Sequence, residues 1–318
     1  MTVKNTATTK QRQPLIWAVA SGKGGVGKSF VAANLTMAFA AHEKKAVLVD
    51  LDLGSANAHT CLGINHPKTT LSQLLRHKNI DINSLVEPSN TPFMGLISGS
   101  SDDLDMANLK HFQKLKVMRN LRHLDADFVI LDLGAGTGFN TLDFFLYADQ
   151  GLLTVMPEPT SVENTYRFVK SLLTRQLRSL PKQSHALMND ILIEQKKDYG
   201  KIQSFAQFLA DMLKKHPEHG KNIQGNLQKL QLNLVVNQMM DPADTKLGDA
   251  MQIIFHKYFS LNLNLLGCLH HDVHVIQALK QRQSYYQLFP QSRNAICLHR
   301  MAEKVIKTQQ IKTNGVVN

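Results

Sequence analysis

Short apolar runs recur along the chain, separated by longer stretches in which apolar residues have helical spacing. Most of these runs are apolar throughout rather than at alternate positions, which is typical of strands buried on both faces of a parallel sheet. The predicted strands are Leu15–Ala20, Ala46–Asp50, Phe93–Ile97, Phe128–Asp132, Gly151–Met156, Leu232–Asn237 and Leu265–Leu269. Helices such as Phe30–Ala41 and Val162–Leu180 are predicted between them. This alternation predicts an α/β fold with a doubly wound, mostly parallel sheet and helices on both faces.

One interval is longer than a single crossover helix requires. Between Met156 and Leu232, leucine and phenylalanine at helical spacing predict a further helix over Asp190–Lys215. The stretch His216–Gly225 is predicted to be a loop, because it contains Pro and Gly among polar residues. We interpret residues 183–230 as a helical insertion within one domain rather than as a separate domain.

The size and the ends of the chain fit one folded unit. Its 318 residues, 43% of them hydrophobic, suffice for one large α/β domain, which we place at residues 14–310. Residues 1–13 are polar and lack the apolar core of a signal peptide, so we expect a flexible arm. Residues 311–318 are expected to form a C-terminal tail.

The composition of the chain limits which binding partners and which cellular compartment are expected. The chain has 36 Lys and Arg against 25 acidic residues, a formal net charge of +11. This excess favours nucleic acid, anionic lipid or nucleotide phosphates, unless it is spread over a solvated surface. The three cysteines are far apart and form no CxxC motif, which fits a reducing cytoplasm better than a disulfide framework or a cysteine metal site.

A phosphate-binding loop follows the first predicted strand and opens the first predicted helix. Residues 22–29, GKGGVGKS, match the pattern G-x-x-x-x-G-K-S/T. Glycines let backbone N–H groups point at phosphate oxygens, and the helix N-terminus adds its positive end. Lys28 is expected to contact the β- and γ-phosphates, and the Ser29 hydroxyl to ligate Mg²⁺. The predicted nucleotide contacts in this region are Gly22, Lys23, Gly24, Gly25, Val26, Gly27, Lys28, Ser29 and Phe30.

Two further strands end in carboxylates. Asp50 and Asp52 lie at the end of the second predicted strand, and Asp132 ends the apolar run that begins at Phe128. The carboxyl ends of parallel strands face the ligand crevice, so Asp132 is expected to hold Mg²⁺ directly or through water. Glycines in residues 134–138 would let the following loop move when the γ-phosphate leaves.

An additional lysine inside the loop identifies a family. Residues 21–29, SGKGGVGKS, resemble the deviant Walker A motif of the ParA/MinD superfamily of P-loop ATPases. In that family the first lysine reaches across a dimer interface to the partner's phosphates, which implies that Lys23 acts in trans. Within one subunit, a second ammonium at ~4 Å from Lys28 would be repelled by about 4 kcal/mol, so we expect Lys23 to require the partner.

The resemblance continues through the second strand. Residues 48–63, LVDLDLGSANAHTCLG, resemble the switch I segment of the family. The match implies that Asp52 orients the attacking water and that Asp50 supports the Mg²⁺ site. The alternative is that one of these carboxylates caps the next turn.

The resemblance also covers the base-binding end. In the family an asparagine at the end of the Leu232–Asn237 strand binds the adenine edge, which implies this role for Asn237. The NKxD signature of guanine-binding proteins is absent from the sequence, so ATP is favoured over GTP. Residues 266–272 resemble the motif L-G-x-I-P-x-D, with His270 in the place of proline, and imply that His271 and Asp272 lie beside the base.

Within the superfamily, the loop, the switch I segment and residues Pro157–Val162 resemble the FlhG, FleN and YlxH regulators of flagellar number. The resemblance implies an ATP-dependent homodimer with slow ATP hydrolysis that protein partners stimulate. Two features differ from that group: the N-terminal arm lacks a D-Q-A-x-x-L-R motif, and the insertion after Leu180 is longer.

Three alternatives stay open. The first is a MinD-like regulator of the division site, which needs a membrane-binding C-terminal helix. Residues Thr308–Asn318 are polar, and Ala295–Lys307 is predicted to pack on the sheet through Ile296, Met301 and Val305, so strong membrane anchoring is not expected. A site at the membrane periphery or the nucleoid stays compatible with the cytoplasmic assignment.

The second alternative is a ParA-like ATPase that positions DNA or other cargo. It depends on basic residues along and after one predicted helix: Arg167, Lys170, Arg175, Arg178 and Lys182. The third alternative is a scaffold that binds ATP without hydrolysing it.

Overall fold

The computed structural model describes residues 13–53, 57–64, 67–77, 79–99, 109–178 and 204–314. The strands are β1 Leu15–Ala20, β2 Ala46–Leu51, β3 Glu87–Pro88, β4 Met94–Ile97, β5 Phe128–Leu133, β6 Gln150–Val155, β7 Leu232–Met239 and β8 Leu263–His270. Within the described residues they form an eight-stranded sheet in the order β3-β4-β2-β5-β1-β6-β7-β8. Among these described strands only the pairing of β3 with β4 is antiparallel, which confirms the predicted, mostly parallel sheet.

Helices cover both faces of the sheet. They are α1 Lys28–Ala41, α2 Ala58–Cys61, α3 Leu71–Arg76, α4 His111–Leu121, α5 Phe139–Tyr147, α6 Pro159–Arg178, α7 Phe205–Lys215, α8 Pro217–Gln228, α9 Lys246–Phe259, α10 Val273–Lys280, α11 Tyr285–Leu288 and α12 Arg293–Asn314. Side chains of β1 enter two cores in alternation: Ile16 and Ala18 join one, Trp17 and Val19 the other. Helices α1 and α12 line the second core, and α4 to α9 line the first. The doubly wound arrangement is therefore confirmed.

The region between β6 and β7 differs from the prediction in one part. The predicted helix Asp190–Lys215 is confirmed over α7, and its earlier residues lie outside the described part of the chain. The predicted loop His216–Gly225 is wrong, because most of it forms α8. Pro217 occupies the first turn of α8, where its fixed φ and missing N–H suit a helix start.

Helix packing explains why a glycine is tolerated within α8. A Cβ added to Gly220 would lie 2.7 Å from backbone atoms of Leu213, so the missing side chain lets α8 approach α7 closely. Ile223 and Leu227 on α8 are buried in the same core as Met212 of α7. Tertiary burial therefore stabilises a helix that the local composition disfavours.

The last helix confirms one prediction and corrects two details. Met301 and Val305 are buried against the sheet, as expected for the predicted Ala295–Lys307 helix. Ile296 is 38% exposed, because the buried stripe runs through Ala295 and Leu298 instead. Helix α12 continues to Asn314, so the predicted start of the tail at residue 311 falls inside it. In the part of the chain that the structure describes, every helix is too short or too polar to cross a membrane.

Candidate nucleotide-binding site

The phosphate-binding loop joins β1, near the middle of the sheet, to α1. Gly27 is the residue before the helix, with a left-handed φ of 83°, and no side chain caps the helix N-terminus. Cβ atoms added to Gly24 or Gly25 would meet no atom within 4 Å. The first N–H groups of α1 and the inside of the loop are thus accessible to an anion.

Lys28 and Asp132 form a buried ion pair behind the loop. The Lys28 ammonium lies 2.6 Å from Asp132 Oδ1, and the side chains are 7% and 1% exposed. Burial raises the pKa of Asp132, although the charge of Lys28, its hydrogen bond and the Ser29 hydroxyl oppose that rise. The other carboxylate oxygen, Oδ2, is buried and has no hydrogen-bond partner.

Asp50 lies beside Asp132, in register on the neighbouring strand β2. Its carboxylate accepts hydrogen bonds from the backbone N–H of Asp52, at 3.1 Å, and of Ala58, at 2.9 Å. Burial and the charge of Asp132 raise the pKa of Asp50 to about 7. Asp50 therefore caps the start of α2.

The carboxylate and hydroxyl oxygens at the ends of β2 and β5 and at the start of α1 are suitable ligands for a hard divalent cation. Mg²⁺ prefers carboxylate, hydroxyl and phosphate oxygens, and keeps several waters. Asp132 offers a buried oxygen without a partner, and the Ser29 hydroxyl favours the charged form of the same carboxylate. Asp50 is next to it on the sheet. These residues are the ones that would hold Mg²⁺ together with nucleotide phosphates.

Asp52 faces the loop of residues 134–138 that follows β5. A Cβ added to Gly134 would lie 3.4 Å from Asp52 Oδ1. The same loop contacts the phosphate-binding loop, since the N–H of Gly136 donates to the carbonyl of Ser21 at 3.0 Å. Asp52 is thus placed between the end of β2 and the loop predicted to respond to the γ-phosphate.

Lys23 has a partner within its own subunit. Its ammonium lies 2.6 Å from Glu158 Oε2 and donates to Thr160 Oγ1 at 3.1 Å. The repulsion from Lys28, on which the expected need for a partner subunit was based, is thus offset within the subunit, because the chain after β6 brings a carboxylate to Lys23. Sequence reasoning noted residues Pro157–Val162 only as part of a resemblance and missed the role of Glu158 and Thr160. The negative charge of Glu158 was the feature of the sequence that could have indicated a partner for the Lys23 ammonium.

The predicted adenine ligand Asn237 reaches the loop from β7. It is 3% exposed, and its side-chain amide donates to the carbonyl of Val26 at 2.8 Å. The neighbouring Gln238 donates to the carbonyl of Gly25 at 3.2 Å. The end of β7 therefore supports the backbone of the loop.

The remaining predicted base-binding residues lie after β8. Asp272 caps α10, accepting from the backbone N–H of His274 at 2.9 Å and from the Tyr285 hydroxyl at 2.6 Å. His271 is exposed, and its N–H donates to the carbonyl of Met239. Phe30 contacts the Tyr285 ring edge-to-face, with centroids 5.2 Å apart. The Asp272 carboxylate is thus engaged by hydrogen bonds within the protein, whereas the His271 side chain is accessible to a ligand.

Two of the basic residues weighed for DNA binding are paired with acids. Arg167 lies 2.6 Å from Glu163 on the same helix, and Arg175 lies 2.7 Å from Asp143, which also pairs with Lys114. Lys182 lies outside the described residues. These ion pairs reduce the positive charge that α6 offers to a phosphate backbone.

Comparisons with known proteins agree with this geometry. The chain is 27% identical over 290 residues to the antiactivator FleN of Pseudomonas aeruginosa, covering 91% of this chain and 85% of FleN. It is 28% identical over 156 residues to the flagellum site-determining protein YlxH of Helicobacter pylori, covering 48% of this chain and 52% of YlxH. The structure of the septum site-determining protein MinD complexed with Mg-ADP from Pyrococcus horikoshii is similar in fold, with a TM-score of 0.63 and 19% identity over 94% of this chain and 98% of MinD.

A family model described as the CobQ/CobB/MinD/ParA nucleotide binding domain matches residues 17–285. The match begins within β1 and ends in α11, so it includes the loop, both carboxylate-bearing strands and the base-binding end. The chain therefore belongs to the CobQ/CobB/MinD/ParA family of nucleotide-binding domains, among the ParA/MinD-type ATPases.

Proposed function

We propose that this protein is an ATP-binding and ATP-hydrolysing dimerisation switch that regulates the number or placement of flagella. The observation that carries the proposal is the presence of two loop lysines in different surroundings. Lys28 is buried behind the phosphate cradle, whereas Lys23 lies 29% exposed beside it. One lysine per subunit suffices for the phosphates of that subunit, so the second is suited to a partner's nucleotide.

Within one subunit, ATP phosphates would lie on the loop N–H groups and at the start of α1. Lys28 would exchange Asp132 Oδ1 for the β- and γ-phosphate oxygens. The Lys28 ammonium stays paired with an anion in both arrangements, so the exchange leaves no uncompensated charge on the lysine. Mg²⁺ held by Ser29 and Asp132 would neutralise charge on the phosphates. Asp50 supports this site from β2, and Asp52 orients the water that attacks the γ-phosphate.

Between subunits, Lys23 would reach the phosphates of the partner and neutralise charge that develops during hydrolysis. The loop of residues 134–138 hydrogen bonds to Ser21 and faces Asp52, so it is placed to change when the γ-phosphate leaves. At the other end of the site, Asn237, His271 and Asp272 would surround the base.

Sedimentation velocity tests the switch. With Mg²⁺, ATP should shift the wild-type protein from monomer to dimer, and ADP should not. Asp52→Ala should hold the dimer with ATP, because hydrolysis no longer resets it. The same monomer in all three samples would contradict the proposal. Phosphate release by the wild-type protein separates a hydrolysing switch from a scaffold that only binds ATP.

Support for the flagellar role comes from the similarity to FleN over most of the chain and from the similarity to YlxH, a flagellum site-determining protein. Electron microscopy of cells carrying Lys28→Ala in place of the wild-type protein should show an altered number or position of flagella. Normal flagella with minicells or misplaced septa would instead favour a division-site role. Normal flagella with DNA-free cells would favour DNA segregation.

A further inference from the structure

A cavity of about 780 Å³ lies at the edge of the sheet opposite the phosphate-binding loop. The N-terminal ends of β1, β6, β7 and β8 line it, together with residues of α7, α8, α9 and α12. Its volume is within the range of small-molecule sites, about 300–1,000 Å³. The described residues that line it include no Asp or Glu, so the cavity disfavours a cation and suits a ligand that accepts hydrogen bonds.

One part of the cavity is apolar. It lies on the side of the first core, where α7, α8 and the chain before β8 contribute Leu209, Leu213, Leu227, Leu230 and Leu261. An apolar chain is favoured against these leucines, because its burial removes apolar surface from water. The ligand of this cavity therefore needs an apolar portion.

The other part of the cavity is polar and lies beneath α12, on the side of the second core. Trp17 of β1 and Gln150 of β6 are in register there, so their side chains project from the same face of the sheet. Trp17 is 2% exposed, and its indole Nε1 is buried without a hydrogen-bond partner among the described residues. Since a buried donor without an acceptor is destabilising, this wall suits a ligand that supplies the acceptor.

A row of side-chain amides provides a second donor at the same wall. Asn233 donates to the carbonyl of Gly151 at 3.3 Å, which fixes the orientation of its amide. Its oxygen accepts from Asn264 at 3.0 Å, and its nitrogen also donates to Gln150 Oε1 at 3.1 Å. The Nε2 group of Gln150 is thus a donor, on the residue in register with Trp17.

Lys304 supplies positive charge to the polar part. It lines the cavity from α12, and its ammonium lies 3.5 Å from the carbonyl oxygen of Leu265, at the outer limit of a hydrogen bond. Lys307 on the same helix is instead paired with Glu303 at 2.5 Å. An anionic group in the cavity would therefore attract Lys304 without displacing an acid.

We propose that this cavity binds an amphipathic organic anion of the fatty-acid type, with its carboxylate beneath α12 and its acyl chain between α7 and α8. The carboxylate oxygens accept from Trp17 and Gln150 and face Lys304, and the acyl chain covers the leucines of the apolar part. Because the nucleotide site lies at the other edge of the sheet, the proposal does not depend on ATP binding.

The single tryptophan of the chain makes this site observable. In protein labelled with the heavy isotope of nitrogen, the indole N–H of Trp17 gives an NMR signal that needs no further assignment. Titration with laurate below its micelle concentration should move this signal to higher proton frequency and saturate at one molecule per chain, since a carboxylate acceptor deshields the proton. Isothermal titration calorimetry measures the affinity.

Two analogues of laurate test the head group. Dodecanol has the same chain without the charge, and dodecyltrimethylammonium carries the opposite charge. Laurate should bind about fivefold or more tightly than dodecanol, and dodecyltrimethylammonium should bind most weakly. Lys304→Gln should remove the preference for laurate over dodecanol, whereas the matched variant Lys307→Gln should keep it.

The apolar part is tested by filling it. Ala206 lines the cavity from α7, so Ala206→Phe should prevent laurate from binding while the other NMR signals show that the protein stays folded. An indole signal that laurate does not move would overturn the proposal. Dodecanol binding as tight as that of laurate, or laurate binding unchanged by both Ala206→Phe and Lys304→Gln, would overturn it as well.

Discussion

Lys23 and Lys28 belong to the same loop, and both lie 2.6 Å from a carboxylate oxygen, yet their surroundings differ. Lys28 and Asp132 are almost fully buried between β1, β5 and α1. Lys23 and Glu158 are partly exposed at the start of α6. The distance between the charged atoms is the same in the two pairs, so burial is what distinguishes them.

Burial decides what each pair can do. Removing one partner of a buried ion pair costs about 3–5 kcal/mol, because the other charge is left without compensation in a medium of low dielectric. Exposed pairs contribute about 0.2–1 kcal/mol. Lys28 therefore gives up Asp132 only to another anion, whereas Lys23 can leave Glu158 at small cost. The first lysine suits binding of nucleotide, and the second suits a reversible contact between subunits.

The largest expected effect follows from the buried pair. Lys28→Ala should weaken ATP binding by about a hundredfold or more, since the charged contact to the phosphates is lost. Isothermal titration calorimetry measures the affinity. Lys45→Ala is a matched control, because Lys45 also lies 2.7 Å from a carboxylate, that of Asp125, but on the surface. Equal ATP affinity of wild type and Lys28→Ala would refute the assignment of the loop.

The exposed lysine should act across the dimer. Lys23→Ala is expected to keep monomer affinity for ATP, to weaken dimerisation and to suppress hydrolysis. In a mixture with Asp52→Ala, the heterodimer contains one complete site, formed by Asp52 of one subunit and Lys23 of the other. Equal amounts should recover at most about a quarter of wild-type phosphate release, because at most half of the dimers are mixed and each mixed dimer has one site. If heterodimers form without recovery, Lys23 works within its own subunit.

This contrast also shows how far the sequence alone leads. The loop, the strands and Asp50, Asp52 and Asp132 were predictable, because apolar runs ending in acids place those acids at one edge of a parallel sheet. The contact of Lys23 with Glu158 was not, since it joins residues 135 positions apart and depends on β6 lying next to β1. Helix α8 was missed for a similar reason, because its packing against α7 outweighs its local composition.

The buried site should respond to pH in the absence of Mg²⁺ and nucleotide. Burial raises the pKa of Asp50 from 3.8 to about 7, so the folded state binds a proton that the unfolded state has released between these values. The free energy of unfolding should therefore fall as pH rises from about 4 to about 7. Urea unfolding in EDTA should show a smaller fall for Asp50→Asn than for wild type. Asp125→Asn, at an exposed position, is the control. The same slope in Asp50→Asn and wild type would contradict this account.

The smallest expected effect is the response of the exposed pair to salt. Raising the ionic strength from about 0.05 M to about 0.5 M shortens the Debye length severalfold, which weakens charge contacts at the surface and leaves buried ones almost unchanged. Acetylation by sulfo-N-hydroxysuccinimide acetate, followed by mass spectrometry, reports the accessibility of each lysine amine. In nucleotide-free protein, the acetylation rate of Lys23 should therefore rise with KCl by less than about threefold, whereas Lys28 should stay unreactive at both concentrations. Glu158→Gln removes the contact that salt weakens, so its Lys23 should be labelled at nearly the same rate at low and high salt. A parallel rise in both lysines would mean that salt loosens the loop as a whole, and the two pairs would then not differ as their burial indicates.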